Sequence, residues 1–179
     1  MTDVAIRQVL TRLTKQGILE RCAQGVYYIP TSTPFGKSKI NVKKVYEKKY
    51  ITNGEEIYGY YTGLSFENMI GFTTQMPNVV EIVTNNEKSR VREVIISSQK
   101  VRIRKPRVKI TNENAKTLQL LDFLSKITWN KLDKNQRKTV IDYVRNQQIK
   151  KERLFDYIGT YPAKTSKNLL ESRLTDELR

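Results

Sequence analysis

Residues 3–29 read DVAIRQVLTRLTKQGILERCAQGVYYI, and this stretch decides how the rest of the chain is read. Thr2 or Asp3 is placed to cap a helix, because a side-chain oxygen there accepts from free N–H groups of the first turn. Ile6, Val9, Leu10 and Leu13 recur at steps of three and four, the spacing of a single apolar helix stripe. Gln8, Thr11 and Lys15 fall on the opposite side, with Arg7 and Arg12 on its flanks. Gly17 ends the helix as a C-cap glycine does. After Asp3 this face has no carboxylate and offers hydrogen-bonding and cationic groups, the chemistry that matches base edges and phosphates. Two β-prone runs, 18–22 and 26–29, flank the turn Ala23-Gln24-Gly25 and predict a hairpin that Pro30 terminates.

Helix, glycine, strand, tight turn and aromatic strand is the order of a recognition helix followed by its wing. On that reading Arg7, Gln8, Thr11 and Lys15 approach base edges, while Arg12, Arg21 and Gln24 hold phosphates of a double-stranded operator. An ordinary helix beside a hairpin, its charges merely solvated, has the same pattern. A complete winged helix has two further helices ahead of the recognition helix. Here Met1 stands immediately before it, so the module is read as partial: either the sequence is shortened or starts late, or another element such as a partner chain covers the apolar stripe.

Composition points the same way. The 179 residues include 33 Lys and Arg against 18 Asp and Glu, a net charge of +15, which favours polyanions through counterion release. Solubilising surface charge is the plainer alternative. The sequence has no histidine and one cysteine, Cys22, so it lacks the commonest general base and any CxxC site. No phosphate-cradling glycine loop occurs. The expectation is therefore a non-enzymatic protein without cofactor or metal. A nuclease using Glu81 or Glu93 with a divalent ion is the remaining enzymatic alternative. No membrane span and no secretory signal are read, and a lone cysteine suits a reducing cytoplasm.

Beyond the hairpin, 31–38 is rich in turn formers and reads as a linker, dividing a partial winged-helix module (1–38) from a body (39–179). The overall class expected is α+β: a mixed sheet followed by a C-terminal helical region. A helix is predicted over 42–50, carrying Lys43, Lys44, Lys48 and Lys49. Strands are predicted over 56–61, 79–84, 92–97 and 100–105, with a short helix over 64–70 capped by Thr62 or Ser65. The strand from Lys100 alternates charge with Val101 and Ile103. Its cationic face, Lys100, Arg102 and Arg104 with Lys105 and Arg107 beyond, reads either as a charge-guarded edge or as a second basic patch for a polyanion or an acidic protein. Helices follow over 115–127, 134–148, around Leu154, Phe155 and Ile158, and over 163–170. The last charged residues are expected to fray.

Three further segments join the opening in one resemblance. The run from Ala5 to Arg21 with Gly25-Val-Tyr-Tyr, then Gly59-Tyr-Tyr-Thr-Gly-Leu-Ser, Ile70-Gly-Phe-Thr-Thr-Gln-Met-Pro, and Tyr161-Pro-Ala-Lys-Thr-Ser-Lys-Asn-Leu-Leu-Glu together resemble AbiEi-like antitoxins. The resemblance implies a transcriptional autorepressor of a toxin–antitoxin, phage-defence system, which neutralises a nucleotidyltransferase-like toxin without necessarily holding it in a stable complex. A protein–protein interaction module that does not bind DNA is the alternative, with the strand from Lys100 to Arg104 as its docking face.

Overall fold

The computed structural model describes residues 2–34 and 36–177, and its architecture is α+β. Helix α1 (Asp3–Lys15) leads into a hairpin of β1 (Glu20–Ala23) and β2 (Val26–Tyr28). The stretch read as a linker contains a second, minimal hairpin of β3 (Ser32–Thr33) and β4 (Gly36–Lys37). Its Phe35 lies outside the described residues. Next come α2 (Val42–Tyr50), β5 (Gly59–Tyr61), α3 (Gly63–Met69), β6 (Val79–Thr84), β7 (Val91–Ile96) and β8 (Gln99–Arg104). Four helices complete the chain: α4 (Ala115–Lys126), α5 (Lys134–Gln147), α6 (Lys151–Ile158) and α7 (Ala163–Ser172).

The main sheet has the order β5-β6-β8-β7, with β6 and β8 parallel and the other pairs antiparallel. After β6 the chain descends the outer edge as β7, then returns through a tight turn at Ser97 (φ 55°) into β8. β8 is thus an interior strand, and the reading of it as a guarded edge is corrected. Its charge is answered from both neighbours, because Glu81 of β6 and Glu93 of β7 both stand in register with Arg102. A single strand's alternation cannot reveal such cross-strand partners.

The sheet separates two apolar clusters. On one side Val80, Ile82, Val101 and Ile103 meet Tyr46 and Tyr50 of α2, with Cys22 and Ala23 of the first hairpin packed against them. On the other, Val83 and Tyr60 join Phe66 of α3 and the C-terminal helices around α4. Nine of the twelve residues of α4 are buried, so this helix is enclosed on nearly all sides rather than presenting one face. Two of its buried polar side chains, Gln119 and Asp122, are correspondingly bonded. The Gln119 side-chain amide donates to the Tyr61 carbonyl (2.8 Å) and its oxygen accepts from the Tyr143 hydroxyl (2.9 Å). Asp122, 3% exposed, accepts from the Arg104 guanidinium at 2.7 and 2.9 Å and from the Thr62 hydroxyl, with Lys126 at 3.4 Å. Thr62 does hold the N-cap position of α3, but its hydroxyl serves Asp122 rather than the helix.

Asp133 caps α5 in a reciprocal box with Gln136. Phe155, expected in the core, is 53% exposed, whereas its neighbour Leu154 is fully buried. The chain end does not fray through residue 177: Leu174 is buried, and Glu177 pairs with Arg145 at 2.7 Å. Leu178 and Arg179 lie outside the described residues. No described helix is long and apolar enough to cross a membrane.

One buried amide ties this helical layer together. The Asn168 side chain of α7 accepts from the Trp129 N–H and donates to the carbonyls of Leu124 and Ile127. Asn168→Ala strands three buried backbone groups, each worth about 1–3 kcal/mol if left unpaired. Urea unfolding should show a loss of about 3 kcal/mol with an unchanged slope. A loss below about 1 kcal/mol would mean that these groups find other partners.

Candidate nucleic-acid interface

Helix α1 begins where the sequence places its cap: Thr2 Oγ1 accepts from the Ala5 N–H at 3.5 Å. It ends at Gln16, with Gly17 taking the left-handed turn at φ 71°. The face away from the apolar stripe is solvent-exposed and carries a shallow recess of about 630 Å³, lined by Val4, Arg7, Gln8, Thr11, Arg12 and Lys15, with Gln16 at its end. These include all five residues that the sequence assigns to the helix face. No carboxylate lies between Asp3 and Glu20, and Arg7, Arg12 and Lys15 enter no ion pair among the described residues. The Thr11 hydroxyl donates to the Arg7 carbonyl at 2.8 Å, so its proton is already used within the helix. What Thr11 has left for a ligand is a lone pair and a methyl group.

Val4 is the residue that the sequence reading missed on this face. It is 65% exposed, and its signal is positional, seven residues before Thr11 and therefore on the same side. The opposite stripe is only partly covered. Ile6 is 41% exposed, and Val9, Leu10 and Leu13 are half-buried.

The hairpin stands next to α1 through bonds from the Ile18 and Leu19 N–H groups to the Leu13 carbonyl. Gly25 supplies the turn at φ 73°, and a bulge lies between Arg21 and Ala23. At the base, the Tyr28 hydroxyl donates to Glu20 at 2.6 Å. That bond, reinforced by the nearby Lys37 ammonium, holds the Glu20 carboxyl below its usual range. Near the tip, the exposed Arg21 guanidinium lies over the Tyr27 ring at 6.0 Å. The Gln24 side chain is also exposed.

The hairpin tip is fastened to the body. The Ser97 N–H donates to the Cys22 carbonyl at 3.0 Å, and the Lys49 ammonium donates to the Gln24 carbonyl at 3.3 Å. Burial there pushes the Cys22 thiol up.

The five residues of the expected second basic patch behave differently. Arg102 donates to Glu93 (2.7 Å) and Glu81 (3.0 Å), Arg104 is held by Asp122, and Arg107 donates to the Thr160 carbonyl and lies over the Tyr161 ring at 5.2 Å. Lys100 and Lys105 are exposed and make no ion pair among the described residues. The structure thus commits Arg102 and Arg104 to a ladder that joins three strands and one helix, while Lys100, Lys105 and Arg107 stay on the surface. Glu81 and Glu93, the carboxylates named for the nuclease alternative, both close on Arg102.

The chain belongs to a protein family of unknown function, DUF6088, whose profile matches residues 2–153, from the start of α1 into α6. No curated protein matches the chain significantly.

The docking of the hairpin is open to a chemical test. The folded protein should alkylate at Cys22 about tenfold more slowly than the urea-unfolded chain at pH 8, since only the thiolate reacts. Its rate should rise with pH along a curve displaced upward from that of an ordinary thiol. Equal rates in the folded and unfolded states would place Cys22 in free solvent and undo the contact.

Proposed function

We propose that this protein is a non-enzymatic regulator that binds double-stranded DNA, with the outward face of α1 in the major groove and the β1–β2 hairpin on the flanking backbone. The observation that carries the reading is the face itself: three cations and Gln8, exposed together on one helix, without a carboxylate or an ion pair. A 13-residue helix is about 20 Å long and fits a groove about 12 Å wide. Arg7 and Gln8, near the helix start, are in the position from which recognition helices reach base edges. Arg12, Arg21 and Gln24 supply backbone contacts that set register without reading sequence, and Lys15, read from the sequence as a base-edge residue, joins them because it stands at the far end of the helix. With its hydroxyl proton committed, Thr11 would act with Val4 as an apolar contact, suited to a thymine methyl.

Autorepression of an operon and neutralisation of a nucleotidyltransferase-like toxin extend this proposal on the resemblance to AbiEi-like antitoxins alone. Two of the resembling segments build the interior. A Cβ on Gly59 would overlap the Tyr50 carbonyl oxygen, Gly63 turns the chain at a left-handed φ of 55°, and the Tyr161 hydroxyl donates to the Leu118 carbonyl. They support a shared body more directly than a shared toxin-binding surface. Co-expression with the product of the neighbouring gene tests the extension: rescue of growth supports it, and unchanged toxicity removes it.

The DNA reading is tested by mobility shift across several salt concentrations, using a duplex chosen by selection from a random pool. Arg7→Ala and Gln8→Ala should each cost about 1–3 kcal/mol on the selected duplex and relax its preference. Lys15→Ala should weaken all sequences alike and lower the salt slope by about one. Thr11→Val, which keeps the methyl, should retain the preference. Binding that ignores salt and the three alanine substitutions would overturn the assignment.

A further inference from the structure

The charge on α2 has found no role so far, and its placement gives it one. Lys43 is neutralised by Glu47 at 3.9 Å, and Lys49 is directed at the Gln24 carbonyl. Lys44 and Lys48 are exposed, make no ion pair among the described residues, and stand one turn apart on the same side of the helix. They face a groove of about 720 Å³ between α2 and the hairpin tip, whose lining includes Gln24, Gly25 and Tyr27 and contains no carboxylate. Like charges at this spacing work against an isolated helix. Here the helix holds them because Tyr46 and Tyr50, on its other side, are buried in the sheet cluster.

Both walls of the groove are fixed. Tyr46 and Tyr50 anchor α2 to the sheet, and the bonds from Lys49 to Gln24 and from Ser97 to Cys22 hold the hairpin against it. The geometry points to this groove as a second contact for duplex DNA, in which Lys44 and Lys48 hold phosphates of the backbone flanking the base pairs read by α1. The inference rests on the DNA reading above and adds to it an outlying, sequence-independent site. The shared hairpin favours DNA over an acidic protein, since the element that carries Arg21 also supplies Gln24, Gly25 and Tyr27 to one wall. A cationic groove with fixed walls suits a stiff rod of regularly spaced phosphates. Charge complementarity is the only recognition required there, so this site adds affinity and salt dependence without altering preference.

The test compares two duplexes, the selected site alone and the same site extended by about ten base pairs on each side. Wild type should bind the longer duplex more tightly and with a steeper salt slope. The Lys44→Gln/Lys48→Gln double variant should lose about tenfold on the long duplex and about two units of slope, while keeping its sequence preference and its affinity for the short one. An unchanged thermal midpoint confirms that the variant is folded. If the variant matches wild type on the long duplex while Arg7→Ala still relaxes preference, the groove is not a DNA contact and the α1 reading stands. If wild type binds neither duplex in a salt-dependent way, both fall. Should polyglutamate compete for wild type as well as a duplex of equal charge, and not for the variant, the groove belongs to an acidic protein.

Discussion

The contact on which the rest of the molecule depends is that between Arg104 of β8 and the carboxylate of Asp122 in α4. A helix enclosed on nearly every side has no solvent face on which to leave a charge. Asp122 therefore needs partners inside, and it has three: the Arg104 guanidinium, the Thr62 hydroxyl and the Lys126 ammonium. Charge-assisted bonds of this kind fix angle as well as distance, since the planar guanidinium accepts a narrow range of approaches. Hydrophobic burial alone would let α4 slide or rotate over the sheet. The cluster pins it at one depth and one rotation, and draws the start of α3 to the same point through Thr62. A buried pair weighs more in specifying an arrangement than in net stability, because both groups give up water to form it.

The same constraint decides where positive charge remains available. The four-stranded sheet uses the arginines of β8 as ties, Arg102 across three strands through Glu81 and Glu93, and Arg104 to the helix above. Arg92, Arg145 and Arg153 are likewise bonded to carboxylates. The net charge of +15 is thus not spread evenly over accessible cations. Five arginines are tied to carboxylates in this way, whereas the recess face of α1 and the Lys44–Lys48 side of α2 carry cations without an ion pair among the described residues. Both stand beside the same hairpin, one joined to it by the chain and the other by the bond from Lys49 to Gln24.

Much of this was legible in the residues, and what was not has a common cause. Helix α1, its Thr2 cap, the Gly17 stop and the following hairpin are local matters of spacing and turn chemistry, and the sequence places each within a residue or two. So are α2 and β6. The roles of Arg102 and Arg104 are not local. Alternation shows that β8 has a charged face and an apolar one, but not that glutamates sit in register on both sides, nor that a helix with a carboxylate crosses above. Leu118, Leu121 and Leu124 announce a wide apolar face on α4, yet Gln119 and Asp122 look like its solvent side until the partners on Tyr61, Tyr143 and Arg104 are known. The strands of the second small hairpin are two residues each, too short for any periodicity to register. Lys44 and Lys48 are visible as lysines on a helix, but the hairpin that makes them one wall of a groove lies some twenty residues earlier in the chain.

Which cation stands at each place bears on what the protein can recognise. A bidentate, rigid guanidinium is suited to a fixed partner in the interior, while a flexible ammonium adapts to a phosphate whose position varies with sequence and bending. The exposed cations of α2 are all lysine, whereas α1 mixes two arginines with one lysine along the face that would meet base edges. Arginine near the start of a helix is the group that discriminates guanine, by matching two acceptors at once. A surface meant only for solubility would carry no such ordering and would intersperse acids to limit self-repulsion. The run from Val4 to Leu19 contains none, and the self-repulsion this leaves would be relieved by the proposed polyanion partner.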